Sequence, residues 1–179
     1  MAIEAAQLLI KYSTSSGTAG NLFSGTAATS LGGYISQTEI VTSTEHNLFL
    51  KMQAAETVTA SKSYRCAFLH NSNGSLGLQN TVIWVSASNS VGTLRIGVDS
   101  TASSLIEATS QQAVITSEGT APAGIAFYGT AISKVTGLSM GSIRAGYCKA
   151  FWVEREAPNY IVAFDNDSAT FTIEGDSET

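Results

Sequence analysis

Two pairs of carboxylates come first, because glycoside cleavage needs two acidic groups held at a set separation across a sugar. Glu154 and Glu156 flank Arg155, and Asp165 and Asp167 flank Asn166. On alternating strand geometry the Glu pair shares one face, where a solvated strand end is the simpler expectation. The Asp pair suits an Asx-rich turn and lacks the Gly and trailing Glu of an EF-hand calcium loop. The only imidazoles are His46 and His70, each followed by Asn. Just Cys66 stands at a useful spacing from His70, short of the three or four converging donors that hold a metal, so neither metal nor cofactor is expected. Cys66 and Cys148 sit in apolar segments outside any C-x-x-C pair. Two buried free thiols are the simpler reading, and a long-range disulfide is the alternative.

Serines are abundant, but no Gly-x-Ser-x-Gly elbow fixes a nucleophile. Gly32-Gly33 and Gly17-x-x-Gly20 neither follow a strand nor open a helix, which excludes a phosphate-binding loop of the familiar kinds. Trp84 and Trp152 lie inside apolar strands and are expected in the core, with an exposed sugar-stacking platform as the functional alternative. No catalytic constellation emerges, and no enzyme activity is expected.

The elements that position these residues are strands. Tyr64, Cys66, Phe68 and His70 alternate with Arg65, Ala67 and Leu69. The Asn73-Gly74 step then leads into the apolar run Val82-Ile83-Trp84-Val85, which predicts a hairpin or tight reversal between two core strands. Leu94, Ile96 and Val98 alternate with Arg95, Gly97 and Asp99, giving a strand with one wet face. Shorter apolar pieces at Val114-Ile115, Ile125–Tyr128 and Ala131-Ile132 surround Pro122, which marks an edge or bend. Tyr147 to Arg155 alternates strongly, with its charged end expected in solvent, and Thr170 to Glu174 closes the series before an acidic tail expected to fray. Leu48 to Glu56 offers one helical turn or a loop.

The 179 residues make about one domain. Nine basic and 14 acidic residues leave a net charge of −5, with charged residues at only 13%, about half the usual ~25%. That balance argues against nucleic-acid binding through a basic surface. A hydrophobic share of 44% is too high for disorder. No apolar run approaches the ~18–20 residues of a membrane span, and Met1 to Ala6 lacks a signal-peptide pattern, so synthesis in the cytoplasm is expected. The chain carries 24 serines and 20 threonines, many of them in the Ser/Thr/Gly/Ala stretch from Ser13 to Gly33. Such a stretch buries little apolar area against ~1–2 kcal/mol per residue of backbone entropy, which points to ordering on a partner. Gly-Thr-Ala recurs four times without a common period, so no repeat architecture is expected.

Several stretches together resemble a family of small tailed-bacteriophage virion proteins. They are Leu8-Leu9-Ile10-Lys11-Tyr12, Ser30-Leu31-Gly32-Gly33-Tyr34-Ile35-Ser36, Tyr64-Arg65-Cys66-Ala67-Phe68-Leu69-His70-Asn71, Leu76-Gly77-Leu78-Gln79-Asn80 with Val82-Ile83-Trp84-Val85, Thr120-Ala121-Pro122-Ala123-Gly124-Ile125-Ala126-Phe127, Ala150-Phe151-Trp152-Val153-Glu154-Arg155, and Phe171-Thr172-Ile173-Glu174-Gly175-Asp176. They fall in order over nearly the whole chain, and their specificity lies in the series. The resemblance implies a structural role in the particle and no enzyme activity. Two departures stand out. Glu154 occupies a place where a second basic residue is expected before Arg155, which puts in doubt any subunit contact made by a basic pair. The segment after Pro158 is also poorer in Gly and Ala than the resemblance suggests.

The expected fold is an all-β antiparallel β-sandwich, jelly-roll or immunoglobulin-like, over residues 48–179. An extended N-terminal arm with a possible first strand precedes it, over residues 1–47. The expected function is that of a capsid cement or decoration protein, forming homo-oligomers and bridging shell subunits in the virion. Its partners are then the major capsid protein and copies of itself, with no nucleic acid or membrane. Leu22, Phe23, Leu31 and Tyr34 are the arm's expected anchors, each contributing up to ~1.5–3 kcal/mol when buried, and many copies add avidity. The rivals are a tail, neck or baseplate subunit, a glycan-binding module using Trp84 or Trp152, and a hydrolase using Glu154 or Glu156.

Overall fold

The computed structural model describes residues 2–16, 23–88, 92–106, 112–159 and 168–178. Strand alternation builds it. In β3 (Lys62–Asn71), Ala67 and Leu69 enter one buried cluster while Tyr64, Cys66 and Phe68 enter another. β8 (Tyr147–Glu156) divides in the same way, sending Phe151 and Val153 to the first cluster and Cys148, Ala150 and Trp152 to the second. Both strands therefore have no wet face over most of their length.

They are neighbours in a six-stranded antiparallel sheet that begins with β2 (Tyr34–Glu39), β1 (Leu8–Thr14), β3 and β8. Beyond β8, two short strands share its far edge in succession. β5 (Thr93–Val98) pairs with residues 151–156, and β6 (Ser104–Leu105) pairs with Cys148 and Tyr147. A second sheet has three strands in the order β7 (Leu138–Ile143), β4 (Leu78–Ser88) and β9 (Ala169–Ser177). The first cluster is the sandwich core, in which Ala67, Leu69, Ile96, Phe151 and Val153 meet Leu78, Ile83, Val85, Met140 and Ile143.

The second cluster lies on the outer face of the large sheet, beneath loops. Ile125 and Phe127 pack there with Leu31 and Ile115, and the Phe127 ring sits 5.3 Å from that of Tyr64. These loops also complete the ladder. β1 pairs with β3 only from Ala67 onward. In its place Cys66 N–H donates to the Ser30 carbonyl at 2.9 Å and Tyr64 N–H to that of Glu118 at 2.7 Å. The loops are tied to one another where Ile115 N–H donates to the Leu31 carbonyl.

Within the first 47 residues, where an arm with a possible first strand was expected, β1 lies between β2 and β3 in the large sheet. Buried hydroxyls supply here what apolar area does not. Ser13, Thr14, Ser30 and Ser36 are buried with their hydroxyls engaged, Ser13 Oγ accepting from Gly32 N–H and Ser30 Oγ donating to the Thr26 carbonyl. Hydrogen-bonded small residues pack closely at little desolvation cost.

Three other expectations are corrected. β3 and β4 do not form a hairpin, because the 72–77 segment carries the chain from one sheet to the other. Asn71 organises that corner, its Nδ2 donating to the Leu76, Ile143 and Arg144 carbonyls while Oδ1 accepts from Asn73 N–H. The acidic end is not frayed through Glu178. Residues to Ser177 belong to β9, and Glu178 N–H donates to the Gly77 carbonyl. The charged end of β8 is not open to solvent, since Glu154 is buried. The helical turn falls slightly later than Leu48–Glu56, as α1 (Ala54–Val58), opened by a Gln53–Glu56 capping box. The ring of Phe49, just before it, is met by the Arg65 and Arg155 guanidinium groups at 5.6 and 4.8 Å from its centre.

Candidate functional site

The carboxylate pair lies in a row of polar side chains that crosses three strands. The register sets Tyr64 on β3 opposite Glu154 on β8, and Glu154 opposite Arg95 on β5, with Lys62 opposite Glu156 one pair further out. Arg95 Nη1 bonds Glu154 Oε1 and lies 2.7 Å from Glu156 Oε2. Lys62 Nζ lies 3.3 Å from Glu154 Oε1 and 3.7 Å from Glu156 Oε2. The Glu154 side chain is 5% exposed and that of Glu156 30%. Burial, followed by the hydrogen bond to Glu154, pushes the Tyr64 phenol up to about 12. The bond to Arg95 holds the Glu156 carboxyl below its ordinary range.

Acid–base hydrolysis needs one carboxyl kept protonated near neutral pH and a second left ionised. Here two cations face two carboxylates, and Glu156 is driven away from the protonated form. The row is built as a tie holding β5 and β3 to β8.

A cleft of about 620 Å³ opens between residues 99–103 and β7, lined by Asp99, Ser103, Ser139, Ser142, Arg144 and Lys149 among others. Lys149 is buried at its base and donates to the Asp99 carbonyl at 2.7 Å and to the Thr101 carbonyl. Burial lowers its pKa despite the opposing Asp99 charge. Burial raises the Asp99 carboxyl, but hydrogen bonds from Thr101 and Gln112, together with Lys149, outweigh that and leave it low. The ammonium thus fastens the 99–101 turn onto β8, while the serines leave the mouth of the cleft hydroxyl-rich.

The remaining sequence candidates are scattered. His46 is exposed in a loop with φ of 56°, and His70 is buried on β3 opposite Cys148. Among the described residues no group of three or more His, Cys, Asp or Glu is placed to hold a metal. Cys66 and Cys148 are free and buried, on one face but in different cross-strand pairs four positions apart. That is about 13 Å along a strand, beyond disulfide reach. Burial pushes the Cys66 thiol up, and Ser13 is hydrogen-bonded to it. Trp152 is fully buried, its Nε1–H donating to Gln112 Oε1 at 2.9 Å, and Trp84 is 9% exposed, so neither presents an open ring face.

Of the expected arm anchors, Leu22 lies outside the described residues, as do Asp165, Asn166 and Asp167. Phe23 is 42% exposed, Leu31 packs under the loops in the chain's own core, and Tyr34 opens β2 opposite Thr14.

The surface features that sequence reasoning missed are apolar and lie elsewhere. Val135 is 95% exposed and Ile132 65%, on a turn braced by Ile132 N–H to Thr136 Oγ1 at 3.2 Å and by Ser133 and Thr136 hydroxyls 3.0 Å apart. The paired hydroxyl residues around Lys134-Val135 were the available signal, since such a pattern fixes a turn and sends its middle residues outward. No protein-family model, no curated protein and no solved structure matches this chain.

Proposed function

We propose that this chain is a structural component of a tailed-phage virion, a capsid cement or decoration protein that bridges and stabilises shell subunits. The observation that carries the reading is the braced 132–136 turn, which holds Ile132 and Val135 in solvent on an ordered support. Apolar side chains held rigidly outward lose little entropy on docking, which is the economy expected of an assembly contact. The resemblance to virion proteins and the engaged state of the Glu154–Glu156 row support the same reading. The major capsid protein is the partner, and the protein acts in the particle after synthesis in the host cytoplasm.

Co-sedimentation with empty shells that lack the protein tests it. The intact chain is expected to bind saturably at high copy number. The Ile132→Asp/Val135→Asp variant, altered only at exposed positions, is expected to lose most of that binding, since each apolar contact contributes up to ~1.5–3 kcal/mol. Absence of binding by the intact chain would overturn the shell role and favour a tail, neck or baseplate position.

A further inference from the structure

Among the described residues β9 is the last strand of the smaller sheet. It pairs with β4 along one side, and among the described residues no strand pairs with the other. An open edge of this kind offers a row of backbone donors and acceptors to a further strand unless proline, lysine or a bulge blunts it. β9, 9 residues long, contains neither proline nor lysine. Both irregularities of the β4–β9 ladder, between Gln79 and Val82 and between Val85 and Ala87, put the extra residue in β4. β9 itself therefore runs regularly from end to end.

We propose that two copies of this chain pair through β9, antiparallel about a twofold axis at Ile173, so that the two small sheets become one continuous sheet. Residues opposite one another in such a pair share a face. Centred on Ile173, the register sets Thr172 opposite Glu174 of the other copy and Thr170 opposite Asp176. Phe171 meets Gly175, and Ile173 meets itself.

On the outer face, each carboxylate then faces a threonine hydroxyl, and that of Thr172, which donates to Ser86 Oγ at 2.7 Å within the chain, has to turn to Glu174 on pairing. Lys134 already holds Glu174 Oε1 and Asn80 Nδ2 holds Asp176 Oδ2 at 3.0 Å, leaving the second oxygen of each free for the threonine. On the inner face, Phe171 covers a glycine, a cross-strand pairing that shields exposed backbone. The half-buried Phe171 and Ile173, which pack against the sandwich core, gain further cover.

Neighbouring registers do worse. Centring on Glu174 sets that carboxylate against itself, and centring on Gly175 sets Glu174 against Asp176. Centring on Thr172 leaves Asp176 and Ser177 without strand partners. The Ile173 register alone among these uses the whole strand and sets no two acids directly opposite, the two copies of Glu174 being diagonal neighbours. A second copy in this register is thus the occupant whose threonines meet the carboxylates of this edge.

Sedimentation velocity and light scattering on the full chain over a concentration series test the pairing. A dimer is expected. Thr172→Glu places a carboxylate opposite Glu174 at two symmetry-related positions and is expected to weaken the dimer about tenfold. Adding Glu174→Lys to the same chain turns both contacts attractive and is expected to restore it. A second exchange, Thr170→Asp rescued by Asp176→Lys, reads the same register at the other pair, so one poorly folding variant does not leave the matter open. Far-UV circular dichroism checks that each variant keeps its strands.

A monomer throughout the series would overturn the proposal. So would an oligomer larger than a dimer, one indifferent to Thr172→Glu, or failure of both rescues in folded chains. The purified chain suffices for this test, and its outcome is independent of binding to shells.

Discussion

Glu154 has to satisfy a buried charge, and it does so with Arg95, Lys62 and the Tyr64 hydroxyl. Removing one partner of a buried ion pair costs more than the pair is worth, because the rest stays desolvated. Arg95 is 29% exposed, so water recovers part of that cost. Glu154→Ala is therefore expected to lower stability by roughly 2–3 kcal/mol in chemical denaturation. The same row sets a limit at high pH. From about 10, where the unfolded phenol ionises, to about 12, where the folded one does, the folded state holds a proton that the unfolded state has released. Stability is fully present below that window and falls as pH rises through it. Tyr64→Phe is expected to flatten that part of a stability–pH profile measured by denaturant midpoint. Alternation of β8 placed Glu154 on the face of Trp152, but its burial depends on loop residues far away in sequence and on Arg95 reaching across from β5.

Corners and loops decide how the strands become a sandwich. Asn71 is fully buried and satisfies three carbonyls from two chain segments. Asn71→Ala leaves those acceptors without their donor and is expected to cost roughly 3 kcal/mol, read as a lower denaturant midpoint at unchanged slope. The loop layer hinges on Gly32, at φ of 92°, where an added Cβ would lie 2.1 Å from the Ala113 carbonyl oxygen. Gly124 shares the left-handed backbone, at φ of 77°, but faces open space. Gly124→Ala is expected to cost about 1 kcal/mol of backbone strain, and Gly32→Ala several times as much, because the clash forces the two covering loops apart. Thermal unfolding of the two variants side by side checks the difference. The Asn73-Gly74 step signalled a reversal but not its destination, since Asn73 Oδ1 accepting from Ser75 and Leu76 N–H builds a turn that serves a corner as well as a hairpin.

For the whole molecule, the large sheet depends on its first strand. A chain beginning at residue 48 lacks β1 and β2, and β3 loses the ladder from Ala67 to Asn71. Such a truncation is expected to lose cooperative unfolding in circular dichroism, whereas a core independent of its arm would keep it. Period-two alternation by itself determined that the chain is all-β, which residues share a face in β3, β5, β8 and β9, and that Trp152 and both cysteines lie inside. Those facts follow from local geometry, in which successive side chains point to opposite sides. Tertiary structure alone decided that the outer face of the large sheet is covered by loops, that Glu154 is buried and paired, that serines in the first 47 residues are core, and that β9 has no second strand neighbour among the described residues. Each of these depends on what a distant segment sets against a face or an edge, and alternation marks the faces of a strand without saying what packs on them.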